Sequence, residues 1–277
     1  MHPLAAAPDG PVAIPPVVER LAAGDAVTPV WRNELGGLTF RLGDDRYVKW
    51  FAGGHPEIDF AAEAERLVWA GPFVTVPEVL EVGRAGDDQW LVTAAIAGGS
   101  AVSPRWLADP QRAAEELGRG LRMLHDTLPV AACPFTWSVE ERVARFEERV
   151  AAGPGPGDTR PGNTTPTDWM PEHRGLSIEN VRETLNRMPP LDLVVCHGDA
   201  CAPNTLIDDS GRFTGHVDLG ILGVADRWAD LAVAAWSTVW NYGPGYESAV
   251  YAAYGVEAGD ADAAERIRYY RLLWDVS

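Results

Sequence analysis

The feature of this sequence that most constrains its fold is a change of pattern near residue 97, where strand-like segments give way to helical ones. Before that point, short runs of β-branched and aromatic residues lie between turns rich in glycine and aspartate, and one helical segment, residues 59–70, interrupts them. After that point, helical periodicity dominates. We therefore expect an α+β protein of two lobes, with an antiparallel sheet plus one helix in residues 1–97 and mainly helices in residues 98–277.

The individual elements follow from hydrophobic periodicity and from the turn residues between them. Strands are predicted at residues 30–31, 38–42, 46–51, 79–82 and 89–93, with a second β region at 193–217. Helices are predicted at residues 111–128, 139–150, 177–188, 225–240, 245–254 and 262–274. We expect residues 1–16 to be frayed, residues 97–100 to form a linker and residues 153–171 to form a loop. A cleft between two such lobes is a common place for a small ligand.

Charge and cysteine content exclude several classes of protein. The formal net charge of −17 disfavours a nucleic-acid partner, because a phosphate backbone is bound through positive charge. Three cysteines, an odd number, do not indicate a disulfide framework, and no apolar run is long enough to span a membrane. The N-terminal residues lack the basic start and the apolar stretch of a signal peptide. We expect a cytoplasmic monomer that binds neither nucleic acid nor membrane.

Lysine usage singles out one position in the chain. Lys49 is the only lysine among 23 lysine and arginine residues. Because this chain otherwise uses arginine for positive charge, the exception indicates a site that needs a compact point charge on a flexible stem.

A segment of the second β region carries the most chemical information. An apolar strand, residues 193–196, runs into a His-Gly-Asp loop that ends in Asp199, and Asn204 follows five residues later. A predicted β-hairpin then brings Asn204 and Asp218 together at its open end. Both offer oxygen atoms of the kind that Mg²⁺ takes beside phosphate, and Asp199 is placed to accept a proton from a hydroxyl or to orient it. The order and spacing match a phosphoryl-transfer site.

This interpretation gives the single lysine a role. A strand lysine that touches ATP phosphates is usually held by a glutamate on the following helix. Lys49 lies at the end of a predicted strand, and both Glu63 and Glu65 lie on the next helix. Of the two acids, Glu63 is favoured.

Two further segments of the first lobe are assigned by their position. The turn that contains Gly36 and Gly37 lies where a loop would cover the phosphates of ATP. The backbone from Ala94 to Ile96 lies where the adenine edge would form hydrogen bonds.

Taken together, these motifs resemble the aminoglycoside phosphotransferases, with the 3′-phosphotransferase branch closest and the streptomycin 3″ branch a near neighbour. The resemblance covers almost the whole chain. It is carried by residues 63–69, 124–125, 133–135, 195–204, 217–220, 222–232 and 266–273. It implies an eukaryotic-protein-kinase-like fold that uses ATP and Mg²⁺.

The resemblance also implies a role for each motif residue. Asp199 would be the catalytic base, and Asn204 and Asp218 would hold magnesium. Lys49 would contact the α and β phosphates, and Glu63 would position Lys49.

Further residues receive supporting or substrate roles from the same resemblance. His197 and Asp230 would brace the catalytic loop. A cationic antibiotic would be held by acids of the second lobe, with Asp168, Glu172 and Asp275 as candidates.

The chain departs from the family pattern in three places. The family's terminal helix commonly ends in acidic residues and a final phenylalanine, whereas here residues 273–277 leave Asp275 as the one acidic contact at that end. Ile221 follows the Asp-Leu-Gly motif where the 3′ enzymes usually carry arginine. Trp240 and Asn241 stand where relatives carry acids that grip the amines of the drug. The antibiotic, or the hydroxyl that is modified, is therefore open at this point.

We expect an ATP-dependent enzyme that phosphorylates a hydroxyl of an aminoglycoside antibiotic and so confers resistance. One alternative is a kinase of another small cationic or sugar-like alcohol. A second alternative is a non-catalytic protein that sequesters its ligand, although the intact motif residues argue against it.

Overall fold

The structure is a computed structural model that describes residues 7–8, 10–55, 57–153, 169–256 and 261–277. The chain divides into two compact units, residues 1–97 and residues 98–277. Within the described residues, every helix is too short or too polar to cross a membrane.

A five-stranded antiparallel sheet forms most of the first unit. Its strands are β1 (Val27–Arg32), β2 (Leu38–Leu42), β3 (Arg46–Phe51), β4 (Val79–Ala85) and β5 (Asp88–Ala94). They lie in the order β1-β2-β3-β5-β4. The central strand β3 pairs with β2 and β5, so Lys49 lies between Thr39 and Leu91 in the middle of the sheet.

Helix α2 (Phe60–Ala70) lies in the same unit. Asp59 caps it, because its carboxylate accepts the N–H groups of Ala61 and Ala62 at 3.1 and 3.0 Å. The side chain of Gln89 on β5 accepts the N–H of Phe60 and donates to the carbonyl of Ile58. These bonds fix the start of the helix against the sheet.

The first unit contains a second helix, so the prediction of a single helix there is wrong. Helix α1 (Pro16–Ala22) begins at the last residue of the segment expected to be frayed. Val18 and Ala22, four residues apart on one face, are buried in a core with Phe40, Val48 and other sheet residues. A seven-residue helix is marginal alone, and it is this tertiary packing that stabilises it.

Helices dominate the second unit, as the sequence predicts. They are α3 (Pro104–Leu107), α4 (Pro110–Thr127), α5 (Val139–Ala152), α6 (Ile178–Leu185), α7 (Arg227–Tyr242), α8 (Glu247–Tyr254) and α9 (Ala261–Val276). Residues 228–238 of α7 are all buried, so this helix is the centre of the unit. It packs against α4, α8 and α9.

Two small antiparallel sheets accompany these helices. Their strands are β6 (Gly99–Ser100), β7 (Leu193–Cys196), β8 (Thr205–Ile207), β9 (Phe213–His216) and β10 (Gly223–Asp226). One sheet has the order β6-β8-β9 and the other pairs β10 with β7. The α+β prediction is thus confirmed.

Three short elements of the second unit escape the sequence prediction. The expected linker contains β6, because Gly99 and Ser100 pair with Ile207 and Leu206. The helix predicted from residue 225 begins at Arg227, because residues 223–226 pair with β7. Helix α3 has only four residues, too few for periodicity to show it.

Candidate active site

The hairpin predicted around residue 210 is present, and it determines the geometry of the second unit's functional residues. Strands β8 and β9 pair, with Thr205 opposite His216. The N–H of Val217 donates to the carbonyl of Asn204 at 3.0 Å. Asn204 and Asp218 therefore leave the hairpin at the same end, as the sequence predicts.

The side chain of Asp199 lies beside both of these residues. The Nδ2 atom of Asn204 donates to the backbone carbonyl of Asp199 and to its Oδ2 atom, each at 2.9 Å. Burial, reinforced by the negative charge of the nearby Asp218, raises the pKa of Asp199. The structure thus brings Asp199, Asn204 and Asp218 into one group.

Asp230 of α7 holds the backbone of the catalytic loop. Its buried carboxylate accepts the N–H groups of His197 and Gly198 at 2.6 and 2.9 Å. His197 in turn is bonded through Nε2 to the carbonyl of Val217 at 3.0 Å. These contacts join the loop to α7 on one side and to the end of β9 on the other, next to Asp218.

His125 of α4 contacts Asp230, a partnership that the sequence does not predict. Its Nε2 atom lies 3.0 Å from Oδ2 of Asp230, and its Nδ1 atom lies 2.8 Å from the hydroxyl of Tyr254 on α8. Burial opposes ionisation of Asp230, but the hydrogen bond and charge of His125, with other partners, lower the pKa of Asp230. The Leu-His pair at residues 124–125 was the available signal, but it carried no indication of a partner.

Gly198 is required by the shape of the loop. Its φ angle is +91°, and a Cβ atom at this position would lie 2.6 Å from the carbonyl oxygen of Ile221. Ile221 therefore packs directly on the loop that carries Asp199. Asp218 also has a positive φ angle, 65°, which is strained for a residue other than glycine.

The first unit contains the lysine and glutamate that the sequence pairs. The Nζ atom of Lys49 lies 2.7 Å from Oε1 of Glu63. Glu63 is buried, whereas Glu65 on the same helix is exposed. The structure therefore brings Lys49 together with Glu63 and leaves Glu65 at the surface.

The Gly36-Gly37 turn joins β1 to β2 and is closed by Asn33. The Oδ1 atom of Asn33 accepts the N–H of Gly37 at 2.7 Å, and its carbonyl accepts the N–H of Gly36 at 3.1 Å. Gly36 has a φ angle of +87°, which favours glycine. The turn is thus held by its own first residue.

The segment predicted to bind adenine, residues 94–96, begins at the last residue of β5. The N–H of Ala94 donates to the carbonyl of Glu78, and the N–H of Ala95 donates to that of Asp45. Among the residues that the structure describes, the N–H of Ile96 has no hydrogen-bond partner. This donor suits the edge of a purine.

The three acids predicted to hold substrate differ in their surroundings. Asp168 lies outside the described residues. Glu172 is exposed. Asp275 is 6% exposed, and its carboxylate accepts the N–H of Met170 and contacts Nδ1 of His173 at 2.6 Å. Asp275 therefore holds the segment around residues 170–173 in place.

The group in the second unit fits a divalent cation. Because Nδ2 of Asn204 is used by Asp199, the amide Oδ1 atom points away and is the atom suited to a metal. A carboxylate from Asp218 and this amide oxygen form a donor set that Mg²⁺ accepts. Two acids close together in a poorly solvated place also favour a cation between them. The geometry therefore fits a magnesium ion that accompanies ATP.

A second cluster of potential metal ligands has a different role. His125, Cys196 and Asp230 are buried with their ligand atoms within 4.8 Å of one another. Both oxygens of Asp230 already accept backbone N–H groups. The cluster therefore braces the catalytic loop.

Comparison with known proteins agrees with this geometry. The profile of the family described as "Phosphotransferase enzyme family", APH, matches residues 28–270. The aminoglycoside 3'-phosphotransferase of Streptomyces fradiae is 36% identical over 225 residues, which is 78% of each chain.

Solved structures are similar over nearly the whole chain. An aminoglycoside-3'-phosphotransferase of type VIII has a TM-score of 0.72 and 31% identity, covering 91% of this chain and 93% of that one. APH(3'')-Id of Streptomyces rimosus, in complex with ADP and streptomycin, has a TM-score of 0.68 and 27% identity, covering 92% and 96%. These similarities confirm the fold and the resemblance seen in the motifs. The chain belongs to the APH phosphotransferase enzyme family.

Proposed function

We propose that this protein is an ATP-dependent O-phosphotransferase that phosphorylates a hydroxyl of an aminoglycoside antibiotic and so confers resistance to it. The strongest support is the grouping of Asp199, Asn204 and Asp218 at one end of a hairpin. The acceptor class is supported by the relatives, two of which are aminoglycoside 3'-phosphotransferases and one of which binds ADP and streptomycin.

Asp199 acts on the acceptor in this mechanism. Its carboxylate orients the acceptor hydroxyl and takes up its proton as the hydroxyl oxygen bonds to the γ-phosphorus of ATP. The bond between that phosphorus and the β,γ-bridging oxygen breaks, and ADP leaves. Asn204 holds the Asp199 carboxylate through its Nδ2 atom, so the base has a fixed orientation.

The nucleotide is held by residues with separate tasks. Lys49, oriented by Glu63, contacts the α and β phosphates. Ala94 and Ile96 offer backbone groups to the adenine, and the Gly36-Gly37 turn covers the phosphates. Asn204 Oδ1 and the carboxylate of Asp218 would hold magnesium, which, when bound, offsets negative charge on the phosphates.

The remaining parts of the proposal concern partners and setting. The acceptor in this proposal is a cationic small molecule. Glu172, together with Asp168 outside the described residues, is proposed to bind it. Asp275 holds the adjoining segment. His197 and Asp230 support the loop. The protein would work in the cytoplasm as a monomer, without nucleic acid or membrane.

The proposal is tested with a panel of acceptors. The purified protein is incubated with ATP, Mg²⁺ and each of several aminoglycosides, and in parallel with choline and a macrolide. We expect ADP release and a mass gain of one phosphoryl group with at least one aminoglycoside, and ³¹P–¹H NMR then gives the modified hydroxyl. Turnover with only a non-aminoglycoside acceptor would show that the acceptor class is wrong.

A matched pair of aspartate variants separates catalysis from sequestration. Asp199→Asn should lower kcat by about 10²–10⁴-fold, because the general base is lost. Asp209→Asn, at an exposed position of the hairpin turn, should have the parent's activity. If cells that carry Asp199→Asn are protected as well as those with the parent, the protein acts by binding its ligand.

A further inference from the structure

Three tryptophans of the second unit pack ring against ring. Trp236 and Trp240 lie four residues apart on α7, and Trp274 lies on α9. The ring centroids are 4.9 Å apart for Trp236 and Trp240, 5.8 Å for Trp236 and Trp274, and 5.2 Å for Trp240 and Trp274. We call these three residues the tryptophan cluster.

The cluster has a buried base and two outer rings that solvent reaches. Trp236 is 2% exposed, and His173 and Arg271 contact its ring at 5.8 and 5.5 Å. Trp240 and Trp274 are half-buried. Because Trp236 packs against both outer rings, it supports them and fixes their orientation. Two adjacent indoles with exposed surface, on a rigid base, are suited to bind a ligand.

The cluster lies close to the catalytic loop along α7. Ser237, next to Trp236, accepts the N–H of Ala202 at 2.9 Å, and Ala202 is three residues after Asp199. Trp240 is three residues beyond Ser237, which corresponds to roughly 5 Å along the helix. The same helix that braces the loop thus carries two of the three tryptophans, one turn beyond its contact with Ala202.

Polar groups beside the cluster are already used. Asp275, next to Trp274, is bound to Met170 and His173. The Nδ2 atom of Asn241, next to Trp240, donates to the carbonyl of Ser237 at 2.8 Å. The two outer indoles are partly exposed beside these engaged groups. An indole face attracts cations and packs against the C–H face of a saturated ring.

We propose that Trp240 and Trp274 determine acceptor specificity by binding one ring of the acceptor, a protonated aminosugar or aminocyclitol, against their faces. This inference rests on the proposed function, since it assumes an aminoglycoside acceptor. Trp236 is a positioning residue that holds the two outer rings. Stacking on the indole faces favours acceptors that present an apolar ring face with protonated amines beside it.

The test compares leucine and phenylalanine at the same positions. Leucine keeps apolar volume but removes the aromatic face, whereas phenylalanine keeps a face. We expect Trp240→Leu and Trp274→Leu each to raise KM for the aminoglycoside about tenfold, with kcat and KM for ATP nearly unchanged. The phenylalanine variants should recover most of the affinity.

A measurement on the parent protein needs no variant. Saturation-transfer NMR with irradiation of aromatic protons should give strong transfer to the C–H protons of one acceptor ring. If transfer is absent, or if the leucine variants have the parent's KM for an acceptor that the parent phosphorylates, this inference is overturned while the proposed function stands. If the parent phosphorylates no aminoglycoside, the proposed function itself is wrong.

Discussion

At the scale of single residues, the candidate site depends on residues whose close contacts leave little room for a substitution. Lys49 is bonded to the buried Glu63. Gly198 has no room for a side chain between the loop and Ile221. Each case gives a prediction with a control from the same chain.

The two glutamates of α2 provide a matched pair. We expect Glu63→Gln to raise KM for ATP and lower kcat/KM by about 10- to 100-fold, because Lys49 loses the charge that orients it. Glu65→Gln changes an exposed residue two positions away on the same helix and should leave kcat/KM unchanged. Steady-state kinetics with ATP as the varied substrate measures both. Equal effects would mean that Glu63 has no special role.

Gly198→Ala tests the shape of the catalytic loop. The positive φ angle and the close carbonyl of Ile221 should make this variant less stable by about 1–3 kcal/mol and reduce its activity strongly. Gly175→Ala is the control, because a Cβ atom there meets nothing within 4 Å. Urea unfolding gives the free energies. A Gly198→Ala protein as stable and active as the parent would show that the loop tolerates another conformation.

At the scale of elements, α7 organises the second unit. Asp230 binds the catalytic loop, His125 of α4 binds Asp230, and Tyr254 of α8 binds His125. Three helices thus support one loop through a chain of buried hydrogen bonds. Each member of this series of hydrogen bonds contacts the next, so the loss of one removes a hydrogen bond from a buried polar group.

His125→Ala tests this connection. We expect the free energy of unfolding to fall by about 1–3 kcal/mol, since Asp230 and Tyr254 each lose one of their hydrogen-bond partners. The activity should also fall, because the loop that carries Asp199 is held less firmly. Met123→Ala on the same helix replaces an exposed side chain and should change neither quantity. Thermal unfolding and kcat are measured on both proteins, and equal behaviour would contradict the proposed support.

At the scale of the whole molecule, the net charge of −17 bears on how the acceptor arrives. A polycationic acceptor is attracted by this field, and salt screens the attraction. We expect KM for the aminoglycoside to rise as ionic strength increases from ~0.01 M to ~0.15 M, where the Debye length falls from about 30 Å to about 8 Å. KM for ATP, an anion, should not rise with it. An acceptor KM that is independent of salt would exclude long-range attraction.

The molecule also shows which predictions the sequence supports and which it does not. The spacing of the Asp199 and Asn204 loop and the hairpin to Asp218 is local, so turn geometry alone brings these residues together. Helix α1 and strand β10 were missed because each is short and is stabilised by contacts with distant segments. The use of Asp275 to hold residues 170–173 depends on a contact across more than a hundred positions.

The sequence by itself therefore determined the α+β class through its periodicity, the motif residues through their local spacing, and the family through the resemblance of those motifs to known ones. Only the tertiary structure decided that His125 supports Asp230 and that three tryptophans from two helices form one cluster. The physical reason is that side-chain partners distant in sequence are selected by packing, which no local pattern encodes.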